Sequence, residues 1–149
     1  MSALNAHNVR YVIVGGHALA VHAQPRATKD LDIFIDRRPA NAKAVYAALA
    51  AYGAPLGDTT PEDFEKPNSI LRLGVPPICV DILQNIDGVD FDSVWQSSSE
   101  HTVDGFRARY ISAEHLIVNK LASGRPQDLA DVAAIRQAQA ASKKSESDT

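Results

Sequence analysis

The sequence predicts an α/β domain, on three observations. Short apolar segments rich in β-branched residues, such as "VRYVIV", "DLDIFI" and "ICVDIL", alternate with stretches whose apolar residues recur at helical spacing. The 149 residues are the length of one ordinary domain, long enough to bury a core without disulfides or a structural metal. Finally, 45% of the residues are apolar and both charge signs are interspersed, the profile of a globular rather than a disordered chain.

Residues 9–14 read as a short buried strand, ended by Gly15 and Gly16. Residues 17–23 read as a short helix stopped by Gln24-Pro25, because proline disfavours helical geometry in the residue before it. Over residues 29–36, Leu31, Ile33 and Ile35 point one way and Asp30, Asp32, Phe34 and Asp36 the other, which makes a strand with one buried face. Residues 39–53 carry proline near the start, Val45, Leu49 and Tyr52 at helical spacing, and Gly53 at the end, the asymmetry of a helix.

Residues 54–68 turn to Pro, Gly, Asp, Thr and Glu and read as a loop. Residues 69–84 read as two strands around a Gly-Val-Pro-Pro turn, with Asp81 on the second. After a polar stretch around Trp95 come a strand at 106–112 and a helix that Ser112 caps and Gly124 stops. A last helix starts after Pro126. Residues 142–149 read as a frayed, disordered tail, leaving 1–141 as one domain without repeats or an internal linker.

Cys79 is the single cysteine, which excludes an internal disulfide and a Cys-rich zinc site and leaves a small core residue. No apolar run approaches the roughly 18 residues of a membrane span. The start, "MSALNAHNVR", lacks the basic segment and long apolar stretch of a secretory signal, so the expected location is cytoplasmic, with no membrane partner. A net charge of -3 argues against a broad electrostatic footprint for nucleic acid and leaves RNA as a partner only through a local patch.

Two local rules are broken within residues 15–32: glycines open a helix, and aspartates sit inside a strand. Asp30 and Asp32 are i and i+2 on a strand, so they project on the same face about 6.5–7 Å apart. They repel unless a cation or proton lies between them, and oxygen ligands of this kind suit Mg2+ or Mn2+. Asp81, flanked by Val80 and Ile82, is the natural third carboxylate of a two-metal site. Taken singly, each aspartate reads equally well as a solvent-facing residue of an open sheet.

A strand running through Gly15-Gly16 into a helix exposes free N–H groups at the helix N-terminus, where the dipole favours an anion and bare glycines let a phosphate approach. Alone, such a pair is often only a tight turn. Beside a divalent-metal site it matches what a nucleoside triphosphate needs, since NTPs arrive as metal complexes. His17, in the first turn after the glycines, reads as a phosphate contact or as a simple exposed residue. His22, five residues on, does not share a helical face with it for a metal. Arg26, Thr28 and Lys29 read as nucleotide contacts or as ordinary polar loop residues.

Gly15-Gly16, thirteen residues and then Asp30-Leu31-Asp32-Ile33, followed by Asp81 in "CVDIL", together resemble the signature of the polymerase-β-like nucleotidyltransferase superfamily. Many members carry serine where Gly16 stands, which removes a hydroxyl that helps hold a phosphate. The two-glycine variant is similar to the minimal, abortive-infection and toxin-like branch. "NKLASGRPQDLADV" is similar to a Lys-Arg-Asp-Asp segment of those enzymes, matched here by Lys120, Arg125, Asp128 and Asp131. The resemblance spans roughly residues 10–135 and is much more specific in its glycine–aspartate part.

The resemblance implies a small mixed β-sheet covered on one side by helices, with the three aspartates on its open face and further helices at the C-terminus. It implies transfer of a nucleoside monophosphate from an NTP to an acceptor hydroxyl on RNA (tRNA included), protein or a small molecule, in a toxin–antitoxin setting with a cognate antitoxin. Asp30 and Asp32 would hold two Mg2+ (or Mn2+) ions and Asp81 the one nearer the acceptor, where it also helps deprotonate the hydroxyl. Gly15, Gly16, His17, Lys120, Arg125 and Asp128 would bind the nucleotide, the cations neutralising triphosphate charge and Asp128 orienting them; the plainer reading of that segment is an exposed cap with a local ion pair. The alternatives are a non-catalytic nucleotide-binding or antitoxin-partner module and a metal-dependent phosphohydrolase.

Overall fold

Strand β2 sets the position of every other element. The computed structural model describes residues 2–24, 30–75 and 78–147. In it β2 (Asp30–Ile35) lies between β1 (Tyr11–Val14), antiparallel to it, and β4 (Ile78–Leu83), parallel to it. Strand β3 (Ile70–Val75) runs antiparallel to β4, β6 (Phe106–Tyr110) parallel to β1, and β5 (Ser99–Val103) antiparallel to β6. The result is a six-stranded mixed open sheet, order β3-β4-β2-β1-β6-β5. The helices are α1 (Ser2–Ala6), α2 (Gly15–His22), α3 (Pro39–Tyr52), α4 (Phe91–Ser97), α5 (Ala113–Ser123) and α6 (Pro126–Ser147).

Alternation along β1 and β2 sorts the two faces. Tyr11 lies opposite Ile35 and Ile13 opposite Ile33, so all four look the same way. The Tyr11 hydroxyl donates to Asn5 Oδ1 of α1 at 2.8 Å. Leu31, Ile33 and Ile82 border an apolar cavity of about 400 Å3 together with Leu4 of α1 and Ala48 and Leu49 of α3. Burying each of these large aliphatic side chains contributes about 1.5–3 kcal/mol, which fixes the face and hence the register of β2. The opposite face carries Val12, Val14, Asp30, Asp32 and Phe34; Phe34 meets Phe91 of α4 edge-on, with ring centroids 5.2 Å apart.

Several segments differ from the sequence reading. Residues 2–6 form α1, held by buried Leu4 and by Asn5, whose Nδ2 donates to the Arg107 carbonyl at 2.9 Å. The stretch around Trp95 resolves into α4, capped by Asp90, followed by the edge strand β5, which is nearly all exposed. Within residues 54–68 a 3-10 turn, Pro61–Glu65, buries Phe64. Helix α6 continues through the residues read as a frayed tail, as far as Ser147. The strand pair β3–β4 and the caps at Ser112 and Gly124 lie where the sequence places them. Pro25 and the Pro76-Pro77 turn lie outside the described residues, as do Arg26, Thr28 and Lys29. No described helix is long and apolar enough to cross a membrane.

Candidate active site

Parallel pairing of β2 with β4 puts Asp32 directly opposite Asp81, and Asp30 opposite Cys79. Neighbouring strands are separated by about 4.8 Å, so the Asp32 and Asp81 side chains stand next to each other on the face away from α1 and α3. Asp81 is buried, Asp32 half-buried. Among the described residues no side chain hydrogen-bonds to Asp32 or forms an ion pair with it. Burial, then the negative charges of Asp81 and Asp30, push its carboxyl from 3.8 up to about 6.

Asp81 is compensated. Arg72 faces it across β3 and closes a two-pronged ion pair, Nε to Oδ1 at 2.8 Å and Nη2 to Oδ2 at 3.0 Å. The same guanidinium reaches Asp30 Oδ2 at 3.6 Å. The sequence reading missed Arg72. Its signal is modest: a lone basic residue in "ILRLGV", at the i, i+2 phase that β4 pairing turns toward Asp81.

The turn from β1 into α2 supports the same spot. Gly15 has a φ of +66°, and a Cβ there would overlap the Asp32 carboxylate. A side chain at this position is therefore excluded twice, by backbone conformation and by the aspartate. Val14, the residue before helix α2, makes no side-chain cap hydrogen bond, so the N–H groups of the first turn have no cap from that residue. Gly16 and His17 belong to that first turn, but neither lines the carboxylate cleft. Burial holds the His17 imidazole below its usual pKa, favouring the neutral ring.

Helices α5 and α6 close the far side. Lys120 is not an open cation: its side chain is 5% exposed, and its ammonium donates to Asp131 Oδ2 at 2.7 Å with Asp128 Oδ1 at 3.6 Å. Gln127 donates to the other Asp131 oxygen at 3.0 Å. Arg125 is the accessible cation, 77% exposed, with its Nε donating to Asp128 Oδ2 at 2.8 Å. Burial works to raise the Asp128 carboxyl, but hydrogen bonding and charge from Arg125, with the charge of Lys120, outweigh it and hold it below the usual range. Gly124, left-handed at φ +67°, makes the α5–α6 turn tight enough to bring these groups together.

One cleft of about 580 Å3 gathers Gly15, Asp32, Asp81, Lys120, Arg125 and Asp128 on its wall. Asp30 is not on that wall and joins the group through Arg72. As the side chains stand, no three Asp, Glu, His or Cys groups among the described residues converge on one point. The donor chemistry nevertheless suits a hard divalent cation, because Asp32 is a half-buried carboxylate with no hydrogen-bonding or ion-pairing side chain among the described residues, beside a second carboxylate.

A family model described as "Nucleotidyl transferase of unknown function (DUF2204)" matches residues 1–147. The chain belongs to this nucleotidyltransferase family. No curated protein matches it by sequence. Among solved structures it is similar to ANT(2")-Ia in complex with adenylyl-2"-tobramycin, at 15% identity over 95% of this chain and 86% of that one, TM-score 0.60. It is also similar to the lincosamide antibiotic adenylyltransferase LnuA, lincomycin-bound, at 16% identity over 91% and 90%, TM-score 0.54. At these identities the likeness establishes a shared fold, consistent with the polymerase-β-like nucleotidyltransferase superfamily, for this member of the family.

Proposed function

We propose that this nucleotidyltransferase moves a nucleoside monophosphate from an NTP to an acceptor hydroxyl, with the NTP carried as its Mg2+ or Mn2+ complex. The observation that carries the reading is the Asp32–Asp81 pair, with no hydrogen-bonding or ion-pairing side chain on Asp32 among the described residues, on the wall of a cleft that also holds Gly15 and Arg125. The acceptor oxygen bonds to the α-phosphorus while the bond from that phosphorus to the α–β bridging oxygen breaks, and pyrophosphate leaves with that oxygen.

Asp32 and Asp81, with Asp30 beside them, would hold the divalent ion, which when bound supplies electrostatic stabilisation of the transferring phosphoryl group. Gly15, where α2 begins on the cleft wall, lets a phosphate oxygen approach the helix N-terminus because it has no side chain. Arg125 meets charge on the departing phosphates, while buried Lys120 fixes Asp128 and Asp131 beneath it. The hydroxyl proton goes to a carboxylate oxygen of this acidic group.

A small hydroxylated molecule is the acceptor class best supported. The cleft has the size of a small-molecule site, and the two similar solved proteins are antibiotic adenylyltransferases. The test is to incubate the chain with each α-labelled NTP, Mg2+ and separate pools of hydroxylated small molecules, tRNA and protein. Label joined to the small-molecule pool is expected. Label in tRNA or protein would redirect the reading to a toxin-type modification, with a cognate antitoxin to be sought. Free labelled monophosphate without acceptor would indicate a phosphohydrolase, and NTP binding without either product a binding module.

A further inference from the structure

We propose that Arg72 is a built-in counter-cation of the carboxylate pair, a positioning residue that holds Asp81 when no metal is bound and that a divalent ion must displace. The inference rests on the metal-assisted reading of the site and adds a residue to it. Three observations point the same way. The Arg72 guanidinium takes one acceptor site on each oxygen of Asp81, at 2.8 and 3.0 Å, so a metal seeking both oxygens competes with it in this arrangement. The same group approaches Asp30, so one cation serves two of the three acidic groups. Burial is asymmetric: the Asp81 side chain is 11% exposed and that of Arg72 56%, so the arginine can swing outward into water while the aspartate stays.

Arg72 is also the one cation in contact with Asp81 among the described residues. A buried carboxylate stripped of that partner is costly, which gives the resting protein a reason to keep a cation there. The guanidinium fork matches carboxylate geometry, whereas a lysine in its place would keep the charge but lose the second prong. Competition between guanidinium and metal for the same oxygens makes metal binding weak in the nucleotide-free chain. A metal–NTP complex, which brings its own phosphate ligands, shifts the balance toward displacement.

The test is Mn2+ binding by calorimetry to the nucleotide-free full chain. Arg72→Gln removes the competitor and should bind Mn2+ roughly ten- to a hundredfold more tightly than wild type, the range expected for losing one charge-assisted ion pair. Arg72→Lys should fall between the two. Arg107→Gln, which removes an exposed positive charge on β6, should bind as wild type does and so controls for general charge. Melting in chelator should show Arg72→Gln below wild type, with Mn2+ restoring it.

Affinity unchanged or weakened in folded Arg72→Gln would overturn the assignment, because a merely structural arginine would not oppose the metal. If Arg72→Gln does not fold, Arg72→Lys decides: affinity equal to wild type would overturn the assignment. Asp32→Asn and Asp81→Asn separate the two levels. If they abolish Mn2+ binding while the Arg72 variants do nothing, only the role of Arg72 fails. If they bind Mn2+–NTP as wild type does, the metal-assisted reading itself fails.

Discussion

Gly15 sits where backbone and side-chain constraints meet. Its positive φ and the close approach of Asp32 leave no room for a Cβ. Gly15→Ala should therefore cost about 1–2 kcal/mol for the left-handed conformation alone, push the Asp32 carboxylate aside, and reduce transfer far more than it lowers stability. Urea unfolding and a transfer assay on one preparation check this; normal transfer would mean that Asp32 tolerates displacement. Asp32 supplies the pH signature. With its pKa raised from 3.8 to about 6, the folded chain binds a proton that the unfolded chain has lost between those values, so metal-free stability falls as pH rises through that window and is level above it. Asp32→Asn should remove the slope: at pH 7.5 it should be more stable than wild type by roughly 1–2 kcal/mol, discounted for partial solvent exposure, and at pH 4 the difference should be near its low-pH limit. Paired urea titrations at the two pH values decide, and a difference independent of pH would contradict the assigned cause.

The α5–α6 hairpin shows how an element can carry charge to a site without exposing it. The sequence reading has Lys120 as a nucleotide-binding cation that Asp128 orients; the packed helices put its ammonium on the cleft wall between Asp128 and Asp131. Lys120→Met leaves those two carboxylates buried without their cation and should destabilise the fold by about 3–5 kcal/mol. A large drop in melting temperature is the expected result, and a variant that melts as wild type but binds NTP poorly would return Lys120 to direct phosphate contact. Elements with a strong period or a cap were legible in the sequence: β2 from its alternation, α3 from Pro39 and Gly53, α5 from Ser112 and Gly124. Elements without one were not. Helix α1 has five residues and a single buried anchor, and β5 is an exposed edge strand held by hydrogen bonds to β6 rather than by an apolar face. Arg72 was hidden for a related reason: its meaning lies in cross-strand register with Asp81, a relation absent from either segment alone.

At the scale of the whole molecule, the sheet order brings together groups far apart in the chain. Strand β1 delivers the glycine turn, β2 and β4 the adjacent aspartates, β3 the arginine, and the C-terminal hairpin its buried charge network. The Gly-Gly and Asp-x-Asp pattern, whose spacings are local, was enough together with Asp81 in a later apolar strand to anticipate the shared fold. The acceptor was not legible, since it depends on the shape of a cleft built from seven elements, β1 to β4, α2, α5 and α6. The central claim is that the Asp32–Asp81 pair transfers a nucleotide, and the most direct measurement is incorporation of label from α-labelled NTP into acceptor by wild type and by Asp32→Asn, with folding of both verified by melting. The account predicts incorporation by wild type and loss of at least a hundredfold, roughly the size of removing a group that stabilises transition-state charge, in a variant that is folded; equal incorporation by the two proteins would contradict it.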